Sequence, residues 1–360
     1  MPDTTKTLIL LTPGFAENEA DTTCIPSHQN MVKALNRCYP GLHVIVLALH
    51  YPYTASTYKW HGNTVISLGG GNPKFFKSLP ILWKGWQQLK QLRKDHDIIG
   101  ILSCWCTDCS LLGKYFSIRY RIKHYTWILG QDARKQNWKL IKLIRPAPDM
   151  LIALSDFLAE EFNRNHHVRP QHIIPWGIDT SAFTTDGAMV DIDVIGVGSL
   201  IPLKQYDQFI EVISILKHQL PGIRAIICGK GVEHERLQAL VEKLGLQDNV
   251  QLYGERAHGE VLQLMQRSRI LLHTSSYEGF GGVMAEALYA GAQVISFVKP
   301  MATSIPHWHH VRNKEDMSAK ALELLQQYPL ADRIPVLPYT IEGCAGSLMQ
   351  LYGYTEAITC

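Results

Sequence analysis

Along the chain, short apolar runs rich in β-branched residues alternate with longer amphipathic stretches. A run that is apolar at every position suits a strand buried on both faces, and amphipathic stretches between such runs suit helices laid over the sheet. The pattern therefore predicts βαβ units around parallel sheets, an α/β fold class. In the first half, strands are expected at Thr7–Leu11, His43–Leu49, Ile98–Leu102, Tyr125–Leu129 and Met150–Leu154, with helices between them. The pattern then restarts at Asp193–Gly198, Ile223–Cys228, Val250–Tyr253, Ile270–His273 and Gln293–Phe297, so the second half is expected to have its own sheet.

A length of 360 residues exceeds what one core usually holds, which agrees with two domains. The turn-rich Ile174-Pro-Trp-Gly-Ile-Asp179 and the polar stretch Ser181–Ala188 read as a hinge. The expected domains are residues 1–180 and 181–340. The final amphipathic stretch, Cys344–Tyr354 within 341–360, fits on either domain, the first included.

No apolar run approaches the roughly 20 residues of a membrane-spanning helix, and Met1–Lys6 leads straight into a strand without a leader pattern. Eight Cys are too sparse for a disulfide scaffold. The expectation is a cytoplasmic protein. Net charge is +3, but residues 1–180 hold 21 Lys/Arg against 13 Asp/Glu and residues 181–360 hold 14 against 19. Between Lys114 and Arg145 there are nine basic residues and one acid, Asp132. Such a patch attracts anions: lipid headgroups, a phosphorylated acceptor or nucleic acid.

The segment most suggestive of chemistry runs from Ser275 to Val294 and reads as strand end, glycine loop, helix, turn and next strand. Gly279, Gly281 and Gly282 allow close backbone approach, and the helix after them begins with unpaired N–H groups suited to phosphate. Glu278 precedes the loop at the carboxyl end of a strand, where open parallel sheets hold ligands, and Glu286 lies about one turn into the helix. Carboxylates accept hydroxyl hydrogen bonds, so two of them around a phosphate-binding turn suggest a nucleotide-sugar. Val197-Gly-Ser-Leu-Ile-Pro-Leu-Lys204 adds a glycine turn, through Gly198 and Ser199, and a cation. Ile227-Cys-Gly-Lys-Gly231, with Gly229, supplies a further strand-to-helix turn as cleft lining.

The spacing of Glu278 and Glu286 resembles the E-x7-E motif of the family 4 retaining glycosyltransferases of GT-B fold, the glycosyl transferases group 1. Ile174–Asp179 resembles that family's interdomain motif, Ala153-Leu-Ser-Asp156 its V-S-D step, and Val197–Lys204 its phosphate turn; Gly254 and the helix after it also match. The resemblance spans most of the chain. It implies two Rossmann-like domains facing across a cleft, with the first on the acceptor side and the second binding the donor. It implies that Glu286 holds the ribose hydroxyls, that Glu278 contacts the donor sugar and flanks its leaving group, and that Lys204 neutralises the diphosphate. It further implies that the N–H groups of Gly281, Gly282 and Val283 cap the phosphates and that Gly14 lines the first domain's side. Hexosyl or N-acetylhexosaminyl transfer to a glycan or lipid-linked acceptor is expected, in polysaccharide biosynthesis, peripherally at the inner membrane face. The nucleotide-sugar is substrate rather than cofactor, and no metal is required. Nucleic acid is not an expected partner.

Two positions depart from the pattern. Ser199 stands where the family usually has Arg, leaving Arg256 as a candidate second cation for the phosphates. Leu129-Gly-Gln-Asp132 resembles an H-G-x-D turn but lacks its His, leaving Asp132 or Gln131 as candidates on the catalytic side. The acidic loop with Glu17, Glu19 and Asp21 is a candidate acceptor contact. Cys104, Cys106 and Cys109 read as buried thiols, and His307-Trp-His-His310 as packing or an aromatic wall, because neither cluster has a second ligand pair at zinc spacing. A nicotinamide dehydrogenase is excluded by Pro13-Gly14, where a glycine fingerprint would stand. An epimerase, a phosphorylase or a non-catalytic anion-binding protein remain the alternatives.

Overall fold

The computed structural model describes residues 3–71, 79–183, 189–327 and 333–355. Residues 184–188 of the stretch read as a hinge lie outside the described residues. The chain forms two compact units, residues 1–177 together with 339–360, and residues 178–338.

The first unit is built on strands β1 (Asp3–Gly14), β2 (His43–Tyr51), β3 (Ser56–Trp60), β4 (Asn63–Ser67), β5 (His96–Cys104), β6 (Lys123–Ile128), β7 (Leu151–Ala153) and β8 (His172–Ile173). They lie in the order β3-β4-β2-β1-β5-β6-β7-β8. All neighbours are parallel except β3 and β4, an antiparallel hairpin. That hairpin, β8 and the last strand of the second unit are additions to the ten strands read from the sequence. The hairpin turn is His61-Gly62 with φ of 43° and 81°, the double left-handed geometry of a two-residue hairpin. A His in the first position hides it from a search for Asn-Gly.

One face of this sheet packs Ile9, Leu11, Ile45, Leu47 and Ile101 under α2 (Leu79–Asp95) and α3 (Asp108–Tyr120), through Leu89, Leu112 and Phe116. The terminal helix α11 (Ile341–Tyr352) belongs to this unit: Tyr352 lies against Gly100 so closely that a Cβ there would meet its ring at 2.1 Å, and its hydroxyl donates to the Ile101 carbonyl at 2.9 Å.

The second unit has six strands: β9 (Ile192–Val197), β10 (Ala225–Cys228), β11 (Val250–Gly254), β12 (Ser268–His273), β13 (Gln293–Ser296) and β14 (Trp308–His310), ordered β11-β10-β9-β12-β13-β14 and parallel throughout. Strand periodicity sends Val194, Ile270, Leu272 and Ile295 to one core, beside α6 (Tyr206–Lys217). Ile195, Leu271 and Val294 go to the other, with α8 (His258–Gln266) and α9 (Gly282–Tyr289). Both faces of the central strands are covered, which is why they read as largely apolar runs. Three residues of the His307–His310 cluster form β14: Trp308 Nε1 donates to Ser296 Oγ at 2.8 Å and His309 pairs with Gln293 at 3.0 Å.

Candidate active site

In the second unit the sheet order reverses between β9 and β12, so the loops after these two strands diverge and leave a crevice at their carboxyl ends. After β9 the chain passes Gly198, at φ 145°, and Ser199, which is exposed, then turns through Pro202–Lys204 into α6. After β12 it passes Thr274, Ser275 and Glu278 to Gly281, at φ 77°, and into α9. The two loops are tied together: Ser276 N–H donates to the Leu203 carbonyl at 3.1 Å and Thr274 Oγ1 to the Lys204 carbonyl at 2.8 Å.

Those ties bring together residues 74 apart in the chain. Lys204 Nζ pairs with Glu278 Oε1, which also accepts from His273 Nε2 at 3.1 Å and Ser275 Oγ at 3.1 Å. The Lys204 and Glu278 side chains are 19% and 16% exposed. Burial pushes the Glu278 carboxyl up, but the His273 hydrogen bond and the Lys204 charge more than offset this and hold it at about 2. Burial keeps His273 below its ordinary value, so a neutral ring donates to the carboxylate. The result is a preformed anion–cation pair at the mouth of the sheet.

Beyond the glycine turn, Glu286 lies on α9, and its Oε1 is 2.8 Å from Nε2 of His258, the first residue of α8. The carboxylate holds the His258 ring above its ordinary value, against burial. The third turn packs backbone on backbone: a Cβ at Gly229, whose φ is 156°, would meet the Gly198 carbonyl oxygen at 1.9 Å. Arg256 is exposed just beyond β11, its guanidinium 5.6 Å from the centre of the Tyr253 ring and close enough to Cys228 to oppose the rise of that thiol. Gly281, Gly282 and Val283 form the start of α9, where N–H groups of the first turn have no helical partner.

In the first unit, Gly14 is buried as the last residue of β1, paired with Tyr51 rather than held in an open loop. Asp132, the candidate on the catalytic side, is held inside the first unit by backbone N–H groups. It is 1% exposed, and its oxygens accept from the N–H groups of Cys106 at 2.8 Å, Gly130 at 2.9 Å and Leu129 at 3.2 Å. Burial raises its carboxyl to about 6. It organises the Leu129–Ala133 turn and presents no free oxygen. In the acidic loop, Glu19 accepts from His61 N–H of the β3–β4 turn at 2.7 Å, and Asp21 from the N–H groups of Thr23 and Cys24 in its own loop at 3.1 Å. Cys104, Cys106 and Cys109 are buried free thiols, each pushed up by burial.

Sequence reasoning missed His258, His273 and Ser275. His273 is the final residue of β12, a position that aims into the crevice, and a His ending an apolar strand five residues before Glu278 was the available signal. It also missed His50, whose Nε2 is 2.5 Å from Asp108 Oδ2.

Residues 188–334 match the family model "Glycosyl transferases group 1". That match spans nearly all of the second unit. Among curated proteins, the chain is 27% identical over 265 residues to the phosphatidylinositol N-acetylglucosaminyltransferase gpi3 subunit of Schizosaccharomyces pombe, covering 71% of this chain and 54% of the relative. It is 27% identical over 103 residues to the 2-deoxystreptamine N-acetyl-D-glucosaminyltransferase of Niallia circulans, covering 29% and 26%. The chain thus spans about half, or less, of the length of these relatives. Two solved structures cover nearly all of it. Sucrose-phosphate synthase from Thermosynechococcus elongatus has a TM-score of 0.70 at 18% identity, covering 96% and 98% of the two chains. Anabaena HepE in complex with UDP and glucose has a TM-score of 0.64 at 16% identity, covering 97% of each. The fold is GT-B, with two parallel-sheet α/β units.

Proposed function

We propose that this chain is a metal-independent retaining glycosyltransferase of family 4, moving a hexosyl or N-acetylhexosaminyl group from a nucleotide-sugar to a glycan or lipid-linked acceptor. The observation that carries the reading is the cluster of Lys204, His273, Ser275 and Glu278 at the switch point, with Glu286 beyond the glycine turn. In this reading Glu286 accepts from the ribose diol, displacing His258. The N–H groups of Gly281, Gly282 and Val283 meet the diphosphate. Lys204 turns from Glu278 to the bound diphosphate and there, beside the oriented N–H groups, takes up the growing charge of the leaving phosphate. Glu278, kept ionised by His273, contacts the sugar. The bond from the sugar's C1 to the phosphate oxygen breaks, a bond to the acceptor oxygen forms on the same face, and the acceptor's proton leaves with the nucleoside diphosphate. Arg256 is the candidate second cation where Ser199 supplies none.

The wider reading is a glycan-building enzyme of the cytoplasm, working peripherally at the inner face of a membrane. Among the described residues no helix is long and apolar enough to cross one. Two measurements test the transfer. Thermal unfolding against UDP, GDP, ADP and their sugar conjugates should show one nucleotide raising the midpoint, by about 2.7 kcal/mol of stability at a hundredfold excess over its dissociation constant. Glu286→Ala should abolish that rise. Product should then form only when acceptor is present; a product formed from donor alone, or from phosphate and glycan, would replace transfer with epimerisation or phosphorolysis.

A further inference from the structure

The first sheet has a switch point of its own. Its order reverses between β1 and β5, so the loops after these strands part and leave a crevice at their carboxyl ends. Beside it, His50, the penultimate residue of β2, donates from Nε2 to Oδ2 of Asp108, the first residue of α3, at 2.5 Å. β2 and β5 flank β1 and lie about 10 Å apart, so the pair joins two loops across the end of β1. The chain enters α3 through Trp105, a bulky residue at φ 64°, a left-handed strain kept mainly at functional sites.

The Asp108 carboxylate is placed to meet a ligand. Its side chain is 18% exposed and that of His50 13%. It accepts from His50, from the Thr107 hydroxyl and from the Cys109 N–H, three of the roughly four hydrogen bonds a carboxylate takes. One is left. Burial pushes the carboxyl up, but the hydrogen bonds from His50, Thr107 and Cys109 more than offset this and hold it below its ordinary value, ionised at neutral pH. The His50 ring is wedged in place: its Nδ1 is buried, without a partner among the described residues, against Gly70, where a Cβ would lie 3.0 Å away. A buried unpaired nitrogen costs stability that an apolar side chain would not. What the ring supplies in return is the N–H on Asp108.

The second unit holds the same kind of pair in His273 and Glu278. The difference is the cation. Glu278 is paired with Lys204, which suits a diphosphate, whereas among the described residues Asp108 pairs with His50 and with no Lys or Arg. The loop after β1 carries Glu17, a further exposed carboxylate. Carboxylates without a cation repel an anionic group and accept from hydroxyls. We propose that Asp108 binds the acceptor, accepting from a hydroxyl of an uncharged sugar ring and turning away a phosphorylated one, and that His50 is the residue that positions it. The inference rests on the transferase reading for the ligand's role as acceptor; the pair itself stands on geometry and charge.

The test is a saturation-transfer NMR titration of the full chain with methyl glucoside, methyl mannoside and methyl N-acetylglucosaminide, each beside its phosphorylated form, with nucleotide-induced thermal shift measured on the same samples. The uncharged glycosides should bind, and their phosphates more weakly. Asp108→Asn, which keeps an oxygen for the Cys109 N–H, should weaken the uncharged ligands on the order of tenfold and bring the phosphates level with them. His50→Phe should do the same, and His50→Gln, which restores a donor, should recover most of the loss. All three variants should keep the nucleotide shift. Tighter binding of phosphates by the wild type, no glycoside bound while the nucleotide shift is present, or an unchanged ranking in Asp108→Asn overturns the site and leaves the transferase reading standing. Loss of the nucleotide shift together with glycoside binding in the variants makes the pair a structural strut and also overturns the site. Glycoside binding by a wild type that shows no nucleotide shift does the reverse, keeping the sugar site and sinking the transferase reading.

Discussion

Replacing Lys204 by Met keeps the apolar stem and removes the ammonium from Glu278. In the intact protein that carboxyl, ordinarily at 4.5, is held at about 2 while buried, a difference worth about 3 kcal/mol of stability at neutral pH. Because the folded value is the lower one, the contribution is complete above about pH 5 and fades as pH falls towards 2. His273 and Ser275 still donate in the variant, so Lys204→Met should lose only part of it, about 1–2 kcal/mol at pH 7. Near pH 3 less than half of the wild-type contribution remains, and the two proteins should converge. Urea unfolding at pH 7 and pH 3 measures both values. Turnover, followed as nucleoside diphosphate released, should fall on the order of a hundredfold to a thousandfold with less effect on KM, because the cation acts on charge that appears as the bond breaks. A stability loss equal at both pH values, or turnover within threefold of wild type, would refute the pairing and its proposed use.

For the second glutamate, His258→Ala frees Glu286, so nucleotide affinity, expected to tighten in the wild type as pH rises and His258 deprotonates, should become flat with pH in the variant. Since the folded value of His258 lies above its ordinary 6.5, the ring also adds stability that is complete below pH 6.5 and lost as pH rises through the folded value, which thermal unfolding across that range checks. Gly229→Ala must move a Cβ out of the Gly198 carbonyl oxygen; a loss of about 2–3 kcal/mol in unfolding free energy and a weakened nucleotide shift are expected. Asp132→Ala leaves the N–H groups of Cys106, Leu129 and Gly130 unpaired and should cost about 3 kcal/mol. Turnover per folded molecule should stay within a few-fold; a thousandfold fall without loss of stability would restore Asp132 as a catalytic residue.

The sheets were readable because helices cover them on both faces. Ile9, Ile45, Val194 and Leu271 sit in short, largely apolar runs, and each of the ten runs read as a strand became one. Three of the four strands that escaped have local reasons. β3 carries only one buried residue, Trp60, and β8 and β14 are edge strands of two and three residues, too short to show a period.

The candidate site was legible as far as it is local. Glu278, the glycines and Glu286 lie on one continuous strand–turn–helix segment, where spacing alone fixes their order in space. What was not legible is what each carboxylate meets. Lys204 reaches Glu278 because β9 and β12 are neighbours at the point where the sheet order reverses, a fact of topology and not of spacing. His258 reaches Glu286 because α8 and α9 cover the same face of the sheet, and no local pattern marks a helix-opening His as a carboxylate partner. At Asp132 a motif suggested chemistry, and what the motif could not show is that both carboxylate oxygens accept from backbone N–H groups. A motif names the residues that can carry charge to a site, and packing decides which of them still have it free to use. By that criterion Lys204 and Glu278 qualify, because each has the other as a partner that an incoming diphosphate can displace.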